Sequence, residues 1–124
     1  MRTLSVVCLV LSSVLVLLAG VGDGRWLTQV PAKDAGRDNP IVHDSQAQQV
    51  GARLFAQHCA ECHAENAGGR NGKPNLHTGH VAQATPGQLF WLLTNGSLKN
   101  GMPSWSRLPE QQRWQLVSYL KSLQ

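Results

Sequence analysis

Two cysteines and a histidine stand together near the middle of the 124-residue chain, in the stretch Cys59-Ala60-Glu61-Cys62-His63. Two thiols separated by two residues can add to the two vinyl groups on one edge of a porphyrin, and an imidazole placed next can donate Nε2 to iron. This C-x-x-C-H spacing is the one used for covalent haem attachment. The sequence therefore predicts one haem c, bound through Cys59 and Cys62, with His63 as an axial ligand of the iron.

Three other uses of these residues compete with haem attachment. A thioredoxin-like redox pair needs a strand before the first cysteine and a long helix after the second, whereas here a helical pattern precedes and a glycine-rich stretch follows. A zinc site needs two further ligands; His77 and His80 are available, but a second cysteine pair is not. A plain disulfide, the default for two exported cysteines, leaves His63 without a role.

A second axial ligand must come from another part of the chain. The methionines are Met1, which belongs to the N-terminal leader, and Met102. Met102 lies in a turn-like stretch beside Gly101 and Pro103, away from any apolar helical stripe, which favours a ligand over ordinary core filling. The alternatives are three histidines, His58, His77 and His80. We prefer Met102, because the first histidine adjoins the attachment motif and the other two are expected at the surface.

Helices are predicted on either side of these residues. Asp44 or Ser45 can cap a first helix, which has apolar residues at helical spacing and runs into the attachment motif. Thr85 and Gln88 form a capping box at the start of a second helix. The helices are expected over about residues 44–58, 85–95 and 109–124, and loops over 64–80 and 97–108. The predicted fold is all-α, with three main helices and long loops wrapped around one covalent haem c.

The first 22 residues have the pattern of an export signal. Met1-Arg2-Thr3 is a short positive start, residues 4–19 carry no charge, and small residues follow at 20–22. An uncleaved anchor is the alternative, because residues 4–21 are long enough to span a bilayer. Both interpretations predict a periplasmic protein, either free or anchored to the inner membrane and facing the periplasm.

Residues 23–43 are predicted to be a flexible linker, because Pro31, Gly36 and Pro40 interrupt any helical or strand period. The folded domain then spans residues 44–124, which is short for a core that is stable without a bound group. The formal net charge of +4 would be partly offset by two haem propionates. Basic residues are scattered and form no run interleaved with aromatics, so nucleic acid is not expected as a partner.

From Ser45 to the C-terminus the chain resembles the class I, mono-haem c-type cytochromes of bacterial periplasms. The attachment motif, the stretch Pro74-Asn75-Leu76 and Met102 occur in that family's order. The resemblance implies that the Pro74 carbonyl accepts a hydrogen bond from Nδ1 of His63, which would orient the imidazole and raise its basicity. The alternative role for Pro74 is to stiffen the loop.

The terminal helices carry the rest of the resemblance. Gly51 and Phe55 resemble the N-terminal helix positions that pack against the C-terminal helix, and Leu116 and Tyr119 resemble their partners there. Gly51 would allow a close approach, and the two aromatic residues would meet at the crossing. Trp105, in the loop that carries the distal methionine, is a candidate hydrogen-bond donor to a haem propionate or, alternatively, a packing residue of the pocket.

Ligation by histidine and methionine fills both axial positions, raises the reduction potential and leaves no vacant site for a substrate. The sequence therefore predicts a monomeric single-electron carrier rather than an enzyme. By analogy, it would accept electrons from a periplasmic dehydrogenase of the quinoprotein type and pass them to a respiratory acceptor, an oxidase or another cytochrome. A gas sensor, if Met102 dissociates, and a small peroxidase are the alternatives.

Basic residues in the loops expected around the haem suggest how such partners would dock. They could form a collar that attracts an acidic partner, or they could be ordinary solvated charges. The residues are Arg70, Lys73, Lys99 and Arg107.

Overall fold

The computed structural model describes residues 23–124, so the predicted leader at 1–22, with its export-signal and anchor interpretations, lies outside the described residues. Within this range the chain forms helices and no strand, apart from one isolated bridge between Ser97 and Met102. The α-helices are α1 (Ala32–Ala35), α2 (Ser45–His58), α3 (Ala60–His63), α4 (Gly79–Gln83), α5 (Pro86–Asn95) and α6 (Glu110–Ser122), and two 3-10 turns span Arg25–Gln29 and Leu98–Asn100. The predicted all-α fold is confirmed.

Side chains cap the starts of α2 and α5. Asp44 accepts hydrogen bonds from the backbone N–H groups of Gln46 and Ala47, at 2.8 and 3.2 Å. Thr85 accepts from the N–H of Gln88, whose side chain in turn accepts from the N–H of Thr85. Both arrangements satisfy N–H groups that have no carbonyl partner within the helix. The predicted starts of these two helices are confirmed.

The helices α2 and α6 cross at Gly51. A Cβ at this position would overlap the carbonyl oxygen of Gln115 and lie 2.8 Å from the Cβ of Tyr119, so the crossing requires glycine. The rings of Phe55 and Tyr119 meet at the same crossing, with centroids 5.3 Å apart, a favourable separation for an aromatic pair. Leu116 is also buried. The predicted contact between the first and last long helices is confirmed.

A stack of aromatic and cationic side chains joins α5 to α6. The rings of Phe90 and Trp114 lie almost parallel, with centroids 4.0 Å apart. The guanidinium groups of Arg37 and Arg113 lie 4.5 and 4.8 Å from the centroid of the Phe90 ring, within the range of attraction between a cation and an aromatic face. Arg37 also donates to the carboxylate of Glu110 at 2.9 Å. The stack therefore holds the N-terminal part of the described chain against both helices.

Residues 23–43, here called the N-terminal strap, differ from the predicted flexible linker. They contain the first 3-10 turn and α1, and Leu27 is 2% exposed. The strap packs on the start of α5, where the hydroxyl of Thr85 donates to the carbonyl of Ala35 at 2.6 Å and the side-chain amide of Gln88 donates to the carbonyl of Leu27 at 2.9 Å. Elements this short produce no helical period in the sequence, so periodicity could not predict them.

The strap shares one apolar core with the rest of the described chain. It reaches α6 as well as α5, because the buried side chain of Asn39 donates to the hydroxyl of Ser118 at 2.8 Å. The predicted domain boundary at residue 44 stays a prediction. None of the helices within residues 23–124 combines the length and the apolar character that crossing a membrane requires.

Candidate cofactor site

A partly open cavity of about 360 Å³ takes its walls from the loop after α3, from α5 and α6, and from the loop between them. Most of its surface is apolar, with leucines from α5 and α6 prominent. All six residues predicted to form the site line this cavity: Cys59, Cys62, His63, Pro74, Met102 and Trp105. The fold therefore brings together three separate parts of the sequence around one space.

The two thiols lie where α2 ends and α3 begins. The Cys59 carbonyl accepts hydrogen bonds from the N–H groups of Cys62 and His63, at 3.1 and 2.9 Å, and these bonds form the single turn of α3. Both thiols are free; Cys59 is partly buried and Cys62 is exposed. Burial, and then the neighbouring Cys62, raise the pKa of the Cys59 thiol to about 12. At neutral pH this thiol is protonated, and it stands beside the cavity.

The imidazole of His63 is partly buried in the cavity wall. Burial, followed by the nearby ammonium group of Lys73, lowers its pKa. The ring is therefore neutral at pH 7, and a neutral imidazole has the free lone pair that a metal ligand needs. Its Nδ1 atom is buried and has no hydrogen-bond partner within the described residues.

The predicted hydrogen bond from Nδ1 of His63 to the Pro74 carbonyl is not formed in this geometry. Pro74 does line the same cavity, but its carbonyl lies against Gly69, where a Cβ would approach the oxygen to 2.8 Å. Gly69 also holds the histidine backbone, since its N–H donates to the His63 carbonyl at 2.9 Å. The loop thus fixes the backbone on this side of the cavity, and the role of Pro74 in orienting the imidazole stays a prediction.

Met102 is held on the other loop of the cavity by its backbone. The N–H and carbonyl groups of Ser97 and Met102 form two reciprocal hydrogen bonds, at 2.9 and 3.0 Å. Gly101, with φ of 80°, and Gly96, with φ of 69°, adopt the positive φ that this tight loop requires. The thioether is therefore presented by a short bridged loop and not by a helix face, as the sequence predicted.

Trp105 is 9% exposed and forms part of the cavity wall. Its backbone N–H donates to the carbonyl of Leu93 at 2.7 Å. The ring lies 5.3 Å from that of His58, and the guanidinium group of Arg107 lies 4.2 Å from its centroid. The geometry therefore accounts for Trp105 as a packing residue, and its contact with a propionate stays a prediction.

The histidines considered as alternative ligands have different surroundings. His58 lines the cavity. His77 is exposed, and its two ring nitrogens lie 2.6 Å from the carbonyl of Asn66 and 3.3 Å from that of Leu123. His80 is not part of the cavity wall. Across residues 23–124, no three side chains of His, Cys, Asp or Glu gather into a group that could hold a metal ion.

Sequence reasoning missed the part of the wall that comes from the strap. Gly24, Trp26 and Leu27 all line the cavity, although their segment was predicted to be a linker. The available signal was that Trp26 and Leu27 are two large apolar residues adjacent to each other, flanked by Arg25 and Thr28. An adjacent pair of this kind indicates burial but does not indicate against which surface.

The chemistry of the cavity wall fits a haem c. Two free thiols stand beside a neutral imidazole, and a thioether lies on a separate loop, which is the donor set for covalent attachment and two axial ligands. The imidazole of His63 lines the cavity, and its buried Nδ1 has no hydrogen-bond partner within residues 23–124, so no hydrogen bond at Nδ1 ties the ring to another part of the described chain. The apolar walls suit the face of a porphyrin.

Comparisons with known proteins agree with this chemistry. The profile of the family described as "Cytochrome C oxidase, cbb3-type, subunit III" matches residues 46–120. A similar protein, "Cbb3-type cytochrome c oxidase subunit CcoP" of Rubrivivax gelatinosus, is 50% identical over 36 residues. That match covers 29% of this chain and 12% of the length of the relative.

Proposed function

The chain belongs to the family of cytochrome c oxidase, cbb3-type, subunit III, and we propose that it is a single-electron carrier with one covalent haem c. Its resemblance to c-type cytochromes is confirmed, and electron transfer with haem c is the function that this family suggests. In the proposal, Cys59 and Cys62 hold the haem, and His63 and Met102 are its axial ligands. The observation that carries it is the presence of all four side chains in the wall of one apolar cavity.

The residues of the cavity perform four tasks in this proposal. Bound haem supplies a one-electron ferric and ferrous couple. The thiols would fix the group in place, and the imidazole of His63, whose pKa burial lowers, would offer Nε2 to the iron. Met102, on its bridged loop, would supply the second iron ligand. The apolar walls would limit contact with water, and two protein ligands would leave the iron no vacant position for a substrate, so in this proposal the chain is a carrier rather than an enzyme.

Docking of redox partners belongs at the open rim of the cavity. Lys73 lines the cavity, with its ammonium group close to Gly101, and the exposed Arg107 covers one face of Trp105. Leu98 belongs to the same 3-10 turn as the cavity residue Asn100 and is 78% exposed. Cationic groups around an apolar contact favour an acidic partner and speed its encounter.

The identities of the partners are finer parts of the proposal. The relative is named as a subunit of a cbb3-type oxidase, which supports a respiratory acceptor of the oxidase or cytochrome class. The proposed electron donor, by analogy, is a periplasmic dehydrogenase of the quinoprotein type. We propose a monomer in the periplasm, free or anchored at the inner membrane through residues 4–21.

Replacing Met102 tests the proposal. In Met102→Ala the haem stays covalently attached, since the thiols are untouched, but the low-spin spectrum of histidine and methionine ligation is lost and the ferrous form binds carbon monoxide faster than the wild type. Intact mass, a pyridine haemochrome assay and absorption spectra measure these effects. Leu98→Ala, an exposed change in the same loop, is the control and keeps the wild-type spectrum. Unchanged axial spectra in Met102→Ala reject Met102 as a ligand, and protein without covalent haem rejects the whole function.

A further inference from the structure

We propose that the N-terminal strap forms part of the wall of the haem site. In this proposal the side chains of Leu27 and Trp26 restrict the access of water to the haem and thereby raise its reduction potential. This inference rests on the proposed function, because it needs a haem in the cavity. The strap lies outside residues 46–120, the segment matched by the family profile. The wall is therefore an addition to the part of the chain that the family shares.

Direct contact with the cavity is the first observation. Gly24, Trp26 and Leu27 line the same space as His63 and Met102. Leu27 is 2% exposed and Trp26 is partly buried. The strap thus contributes apolar surface to the cavity that the two proposed iron ligands also line, without supplying any ionisable side chain to it.

The strap packs closely against α4 and α5 at two glycine residues. A Cβ at Gly87, in the first turn of α5, would overlap the carbonyl oxygen of Asp34 and approach that of Ala35 to 2.7 Å. A Cβ at Gly24 would lie 2.8 Å from a methyl group of Val81 in α4. The strap therefore packs closely against both α5 and α4, which indicates that it has one defined position on the protein.

Side chains fix the part of the strap that faces the cavity. The amide group of Gln88 donates to the carbonyl of Leu27 at 2.9 Å. The rings of Trp26 and Trp91 meet edge to face, with centroids 6.1 Å apart. These contacts set the position of the two apolar residues relative to the haem cavity.

An apolar wall changes the balance between the two oxidation states of the iron. The ferric form carries one more positive charge than the ferrous form, and exclusion of water disfavours the more highly charged state. Burial and the dielectric of the surroundings are among the means by which a protein sets a haem potential. The strap should therefore favour the ferrous form, and opening this wall should lower the potential.

Two matched pairs of variants of the full chain separate the wall from general stability. Leu27→Ala changes a cavity residue, whereas Val30→Ala changes a residue of the same strap that is buried but does not line the cavity. Trp26→Ala removes an aromatic ring from the cavity wall, and Trp26→Phe, which keeps an apolar ring there, is its control. The variants of Trp26 keep the test valid where truncation of the buried Leu27 impairs folding.

The readouts are the midpoint potential by spectroelectrochemistry, the haem content by intact mass, and amide hydrogen exchange of residues 23–35. We expect Leu27→Ala and Trp26→Ala to keep covalent haem and low-spin ligation, and to have lower potentials than their matched controls. Equal potentials within each pair, with haem attached, would overturn the inference and leave the proposed function intact. Rapid exchange of the strap in the wild-type holoprotein would overturn it independently. Absence of covalent haem from the wild-type protein would instead reject the proposed function.

Discussion

At the scale of single residues, Asn39 is a polar side chain within an apolar contact. It is 6% exposed, and its Nδ2 donates to the hydroxyl of Ser118 at 2.8 Å and to the carbonyl of Trp114 at 3.2 Å. Its Oδ1 accepts from the N–H of Ile41 at 3.0 Å. Each buried polar group of the side chain is therefore paired, which makes its burial between strap and α6 tolerable.

Truncation of Asn39 should be costly in proportion to the polar groups it leaves unpaired. In Asn39→Ala the partly buried N–H of Ile41 loses its acceptor, and we expect a loss of roughly 1–3 kcal/mol in the free energy of unfolding. Urea unfolding of the holoprotein measures it. The control is Asn95→Ala, because Asn95 is exposed and bonds only within its own helix. Equal losses in both variants would show that the buried network adds nothing to stability.

At the scale of elements, the crossing of α2 and α6 depends on one position without a side chain. Gly51 faces the backbone of α6 at Gln115, and the aromatic contact between Phe55 and Tyr119 lies one turn along the same helices. Since α2 ends at His58, beside the proposed attachment cysteines, and α6 contributes leucines to the cavity, their separation also sets the width of the cavity.

Adding a methyl group at this crossing should push the helices apart. Alanine in a helix interior usually gains about 0.5–1 kcal/mol over glycine, but in Gly51→Ala the new Cβ overlaps the carbonyl oxygen of Gln115. We expect a net loss of about 1–3 kcal/mol, typical of overpacked cores. Thermal unfolding of the holoprotein tests this, with Gln49→Ala on the exposed face of α2 as control. A variant more stable than the wild type would contradict the crossing geometry.

The elements also show what could be predicted from sequence. The helix starts at Asp44 and Thr85 could be predicted because an N-cap is a local feature, formed between residues about three positions apart in the sequence. Cys59, Cys62 and His63 could be singled out because two thiols and an imidazole are unusual at this spacing. The structure places all six proposed site residues in one cavity wall, and their roles stay predictions. The strap could not be predicted, since its contacts join Leu27 to Gln88 and Asn39 to Ser118, which are far apart in the sequence. The absence of a hydrogen-bond partner for Nδ1 of His63 within the described residues could not be predicted either, because it depends on how a glycine-rich loop bends.

At the scale of the whole molecule, the cavity takes the place that a filled core would have. At about 24 cal/mol per Å³ of cavity, a volume of about 360 Å³ corresponds to roughly 9 kcal/mol, an upper limit because the cavity is partly open. The total stability of a domain is about 5–15 kcal/mol. We therefore expect the fold to be much less stable without a group that fills this space.

Loss of haem attachment should accordingly remove the cooperative fold. The double variant Cys59→Ala with Cys62→Ala cannot form the two thioether bonds, and we expect a largely unfolded product by far-ultraviolet circular dichroism, without a cooperative thermal transition. The wild-type holoprotein, expressed in a host that matures c-type cytochromes, is the reference. A haem-free double variant that melts cooperatively would contradict the dependence.

The position of the strap has a consequence for where the N-terminus of the chain could be cleaved. The strap's part of the cavity wall begins at Gly24, so removal of the predicted leader after residue 22 would leave one residue, Asp23, before it. A chain trimmed at residue 22 keeps the wall whole, whereas one trimmed past Leu27 has lost it. Proteins that begin at different residues within one preparation would then differ in reduction potential, and the position of N-terminal cleavage would set the potential of the proposed haem.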